Sequence, residues 1–191
     1  MKNQKLDLFE SKLKRLKISF YKENNNIIIG KPKMDYANFI GLIIIPFLIA
    51  IIILIYYLTF KSDFIRSHTG KMFAIFIFFL GTSAFNFSRM KAKWESNANK
   101  KKLVNNKIII NTESEEYSFD GDTVTDFEID ITDIKQNTNH GKLYLVDTNN
   151  EKHLLLGFDN EDEKYLLDDL KWFASFFANY INFKSDEFLI K

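Results

Sequence analysis

Three histidines, His68, His140 and His153, and a dense acidic run, Asp120, Asp122, Asp126, Glu128 and Asp130, are the residues of this 191-residue chain best suited by type to hold a metal ion. Histidine and carboxylate side chains together take zinc, and closely spaced carboxylates take calcium. The histidines fall in the segment between two apolar runs, in a turn and at a strand start, so a shared site is not expected. The acidic run lacks the ligand and glycine spacing of a calcium loop, and its alternation makes it a solvated strand face. Asp168 and Asp169 lie beside Lys164 and Lys171; the four-residue spacing of Lys164 and Asp168 suits a helix-surface ion pair. No Ser-His-Asp order, HExxH, GxSxG or Walker sequence occurs. Cysteine is absent, which excludes disulfides, thiolate metal sites and a cysteine nucleophile. No catalytic residue, cofactor site or metal site is therefore expected.

The remaining chemistry is electrostatic. Residues 1–35 carry nine basic and four acidic side chains, residues 89–102 six and one, and residues 103–191 eight and 19, so the total of +1 conceals a strong segregation. Lys91, Lys93, Trp94, Lys100, Lys101 and Lys102 are the candidates for contact with a membrane surface, where each cation near an anionic leaflet is worth about 1 kcal/mol. A net −11 over residues 103–191 makes nucleic acid a poor partner, because phosphate demands a positive surface.

What must position these lysines is a pair of apolar runs. Residues 36–60 hold no charge, and neither do residues 72–88. A hydrocarbon core about 30 Å thick needs roughly 20 apolar helical residues to cross it, so a transmembrane hairpin over 36–88 is expected. Pro46 removes one hydrogen bond of the first helix, while Gly81, Ser83 and Ala84 give the second a small-residue surface for packing. Tyr56, Tyr57, Phe60 and Trp94 suit the interfacial belts. The lysine and arginine excess outside the hairpin, against three in residues 61–71, places both termini in the cytoplasm. Residues 1–35 hold neither a continuous apolar core nor a small-residue cleavage site, so a cleaved leader is not expected.

The flanking segments read as one small domain. Residues 1–16 repeat Leu6, Phe9, Leu13 and Leu16 on one helical face, either an interfacial helix on the bilayer or one packed on the soluble part. Residues 17–33 form a β-hairpin expected to join the soluble domain, and residues 89–102 a basic juxtamembrane segment. Within 103–183, "KIII", "EYSF", "TVTDFEIDI", "KLYLV" and "HLLLGF" are strands separated by turn signals, "FDGDT" among them as an Asp-Gly hairpin turn. A helix follows, capped by Asp159 or Asn160, with Leu166, Leu170, Phe173, Phe177 and Tyr180 in one stripe. Residues 184–191 are a tail.

Seven strands and a C-terminal helix are the inventory of a pleckstrin-homology-like barrel. The chain resembles bacterial membrane proteins in which a two-helix hairpin is joined to such a domain (YcxB-like). "YSFDGDTVTDFEIDITDIKQ", with Asp133 and Ile134, and "HLLLGFDNEDEKYLLDDLKWFASFFANYI", with Trp172, carry the likeness. The resemblance implies a membrane hairpin plus an α+β, barrel-type domain in a multi-pass protein of the bacterial inner membrane. The expected function is non-catalytic: the cytoplasmic domain binds a protein partner or its own copies, with membrane lipids as surroundings. A lipid-headgroup-sensing module is the alternative, and an enzyme acting on a membrane lipid a more distant one.

Overall fold

A computed structural model of the chain describes residues 2–24, 26–30, 36–59, 63–112, 114–133 and 138–183. The tail at 184–191, residues 31–33 of the N-terminal hairpin, Phe60 and Ile134 lie outside the described residues. The fold is α+β, with two long apolar helices and two antiparallel sheets. It divides into two compact units, one of Met1–Lys33 with Ala92–Lys191 and one of Met34–Lys91.

In the apolar unit the first helix is built from α2 (Tyr36–Phe39), a π-helical stretch at Ile40–Ile44 and α3 (Ile45–Thr59). The π-helical turn immediately precedes Pro46. The wider ladder, seen in the Ile45 N–H reaching the Ile40 carbonyl, is how the helix absorbs a residue that cannot donate and whose ring crowds the preceding turn. Ser83 Oγ donates to the nearby Ile43 carbonyl at 3.0 Å, and Ile43, Pro46 and Ala50 form the buried stripe of this helix. Of the small residues expected to pack, only Ser83 is buried; Gly81 and Ala84 are exposed. The contact is thus a hydroxyl-to-carbonyl bond rather than a close approach of backbones.

The second apolar helix, α4 (Asp63–Ser96), has 34 residues. It begins before, and ends after, the 72–88 run, because hydropathy marks only the apolar part of the helix. Tyr36–Thr59 and His68–Ser96 are each long and apolar enough to cross a membrane. Their large side chains are mostly outward: Ile52, Leu58, Phe73 and Phe78 are all more than 60% exposed.

Among the described residues the β-rich unit holds eight strands, where seven were expected. One sheet is ordered β1 (Phe20–Glu23), β2 (Asn26–Ile29), β3 (Lys100–Val104), β4 (Lys107–Asn111), β5 (Glu116–Phe119); the other is β6 (Val124–Asp133), β7 (Asn139–Asp147), β8 (Lys152–Asn160). The N-terminal hairpin joins the rest through β2 and β3, in the register Ile27 with Leu103 and Ile29 with Lys101. No ladder between the two sheets closes a barrel among the described residues. The expected Asp-Gly hairpin is not one. β5 pairs with β4 and β6 with β7, so "FDGDT" carries the chain from one sheet to the other. Gly121 has no positive φ; it is small because the Ile181 and Asn182 carbonyls would lie 2.8 Å from a Cβ there.

α5 (Glu163–Tyr180) is capped two or three residues later than expected, by Asp162, whose carboxylate accepts from the Lys164 and Tyr165 N–H groups. Its stripe covers the three-stranded sheet, and Gly141 of β7 admits Leu170 and Leu166 to near contact with the backbone. α1 (Lys2–Arg15) lays Phe9 flat on Phe176, at 4.0 Å between ring centroids, and edge-on to Phe173 and Phe177. Phe9 and Leu13 are fully buried. The face offered for a bilayer is therefore taken by α5, and of the two roles expected for residues 1–16 the packed one is observed.

Candidate functional site

The six residues expected at a membrane surface meet different fates. Trp94 is 53% exposed and Lys91 and Lys100 are exposed, the latter with its ammonium 5.6 Å from the Tyr21 ring. Lys93 donates to the Leu16 carbonyl. Lys102 is half-buried on β3. Lys101 is 2% exposed, because β3 is the central strand of its sheet and alternation turns Lys101 with Leu103 to the inner face, between Ile29 and Ile110. Burial alone pushes its ammonium down to about 8 from 10.5. The signal for β3 was present in "KKKLVNNKIII": Asn105 and Asn106 both have positive φ, as a two-residue hairpin turn requires.

Where α4 ends, a polar cluster is buried against the three-stranded sheet. Ser96 Oγ lies 2.8 Å from His140 Nε2 and donates to the Ala92 carbonyl, also at 2.8 Å. Asn97 Nδ2 donates to the Lys93 and Gly157 carbonyls, and the Gly157 N–H returns to Asn97 Oδ1 at 3.4 Å. Gly157 is obligatory here, since a Cβ would come within 2.5 Å of the Ser96 Cβ. Both residues of the serine-histidine contact are 2% exposed, and His140 Nδ1 has no hydrogen-bond partner among the described residues. From the sequence His140 is a candidate only as a metal ligand and Ser96 is not a candidate at all, because 44 positions separate the two.

The other candidates resolve into local roles. Asp120 pairs with Lys107 at 3.1 Å and caps the corner through the Asp122 and Thr123 N–H groups; Lys107 holds its carboxyl below the usual range. Asp126 accepts from the Phe127 N–H, Glu128 pairs with Lys152 at 2.5 Å, and Asp130 stands opposite Lys142 in the ladder. His68 lies in α4, half-buried. His153 comes within metal-ligating reach of Asp147 and Glu151, all three ligand atoms lying within 4.8 Å of one another. Asp147 is already engaged, however: Oδ1 accepts from the Asn149 and Glu151 N–H groups and Oδ2 faces His153 at 3.2 Å. The Glu151 N–H, more than any other group, holds the Asp147 carboxyl below its usual range. That geometry clasps the β7–β8 turn.

Asp169, read from sequence as ordinary surface charge, is 7% exposed and bound by Lys12 at 2.6 Å and by Arg15. Lys12 also lies 4.9 Å over the Trp172 ring. These contacts fix α1 to α5.

Neither the protein-family models nor the curated proteins compared with the chain match it. The functional reading rests on geometry and charge.

Proposed function

We propose that this is a non-catalytic inner-membrane protein: the apolar helices cross the bilayer out and back, both termini lie in the cytoplasm, and the β-rich unit, a pleckstrin-homology-like domain, binds a protein partner or further copies of itself there. The observation that carries the reading is the contrast in burial. Phe9, Phe127, Phe158, Phe173 and Phe177 are at most 1% exposed in the β-rich unit, whereas Leu58 and Phe78 of the apolar unit are 66% exposed. A water-soluble fold does not leave two such helices bare, while a bilayer makes them favourable. In support of the domain type, β2–β5 followed by the β6–β8 meander and α5 give the four-plus-three strand order and capping helix of that fold, with β1 added at the edge.

The net −11 of residues 103–191 and the polar edge strand β6 favour a basic partner. Lys101 in the core and Lys93 tied to Leu16 subtract two cations from any headgroup surface. The tagged full chain, purified from its native membranes in mild detergent, is expected to bring a basic protein that salt releases, or to scatter light as an oligomer. A single monodisperse protomer with no companion refutes the interaction, and protease reaching the two termini from opposite sides of sealed vesicles refutes the topology.

A further inference from the structure

The buried junction at the end of α4 holds a histidine with one ring nitrogen unused. Ser96 Oγ donates to the Ala92 carbonyl, so the contact with His140 is completed by the imidazole Nε2–H donating to Ser96 Oγ. Nδ1 is then a bare lone pair, buried and without a hydrogen-bond partner among the described residues. If the serine proton turns to Nε2 instead, Nδ1 carries the hydrogen and still has no acceptor. In either case the doubly protonated ring carries a buried Nδ1–H without a partner among the described residues, together with a charge, which is costlier than an unused lone pair.

The groups that face the ring come from every element around it. Asp159 of β8 and Asp130 of β6 favour the charged ring, whereas Lys142 of β7 and Lys93 of α4 oppose it. With two of each sign, burial dominates and sets the His140 imidazole below its ordinary range. Gly157 packs directly on Ser96, so the serine side of the junction is tightly filled.

We propose that Ser96 and His140 form a proton-operated latch, which fastens the last turn of α4 to the three-stranded sheet while the histidine is neutral and frees that turn when it is protonated. Opening gives Nδ1–H access to water, which supplies the acceptor that the described residues do not. The Asn97–Gly157 bonds, the second point of attachment, then face solvent and weaken too. The device does not depend on the partner proposed above; it depends on the geometry of the junction alone.

The test is hydrogen exchange by mass spectrometry on the full chain in detergent micelles, with protection factors corrected for the intrinsic pH dependence of exchange. From pH 7.5 to pH 4.5, the amides of Ala92–Asn97 are expected to lose protection as the ring takes up its second proton. The amides of Leu143–Val146 in β7 are expected to keep theirs. In His140→Gln, whose amide still donates to Ser96, the pH dependence is expected to vanish. Should that variant fail to fold, exchange at the His140 C2 proton in the wild-type chain gives the midpoint directly, and it must fall below 6.5 and coincide with the loss at Ala92–Asn97. Unchanged protection at Ala92–Asn97, an equal loss in His140→Gln, or a His140 midpoint at or above 6.5 overturns the latch.

Discussion

Replacing Lys101 with methionine should make the β-rich unit more stable, and the gain should depend on pH in a way that only a buried ammonium explains. Lys101 is 2% exposed, has apolar cross-strand neighbours, and titrates near 8 rather than 10.5. A pKa unit is worth about 1.4 kcal/mol, so keeping the ammonium charged at pH 7 destabilises the fold by about 3 kcal/mol. The native state binds fewer protons than the unfolded chain between pH 8 and pH 10.5, and stability rises with pH across that window. Below pH 8 the penalty is present in full; above 10.5 both states are neutral and it is gone. Methionine keeps the length of the side chain without the charge. Urea unfolding of the full chain in detergent, followed by tryptophan fluorescence, should give Lys101→Met a gain of about 3 kcal/mol at pH 7 that largely disappears by pH 11. Because every other group titrates identically in both proteins, a difference that stays flat from pH 7 to pH 11 would show that the ammonium is not the cause. No gain at pH 7 would show that the amine is solvated.

Asp169→Asn should cost about 1–2 kcal/mol in the same assay and release α1, raising exchange over residues 5–15; the value lies between exposed and buried pairs because Arg15 is largely exposed. Gly157→Ala should destabilise by about 2–3 kcal/mol and exceed Gly141→Ala, since the first meets Ser96 Cβ and a backbone carbonyl while the second meets the flexible end of Leu170. Ser83→Ala should weaken association of the two apolar helices by roughly 0.6 kcal/mol, measured by steric trapping in bicelles, through loss of the bond to the Ile43 carbonyl. Asp147→Asn should loosen the β7–β8 turn and make stability less sensitive to acid. In the wild type the depressed Asp147 carboxyl contributes stability above pH 3.8 that is lost as pH falls further.

The sequence alone determined what depends on local order. An uncharged run of 25 residues must be a long apolar helix, because nothing else satisfies its backbone in an apolar setting. The stripe from Leu166 to Tyr180 must cover a hydrophobic surface, since its period matches a helix and its face is too apolar for water. The alternation of Phe127, Ile129 and Ile131 with acids likewise made β6 a strand with one wet face. Tertiary structure decided what depends on a distant neighbour. Lysines 100–102 look like a surface cluster until β2 and β4 flank β3 and turn Lys101 inward. The apolar face of residues 6–16 suits lipid or protein equally until α5 occupies it. Asp-Gly signals a hairpin until the end of α5 presses two carbonyls on Gly121 and the chain changes sheets. Ser96 and His140 meet only after β7 and the last turn of α4 are packed together. Periodicity records which side of an element is apolar, whereas the partner that covers that side comes from residues tens of positions away, and no pattern along the chain carries their distance.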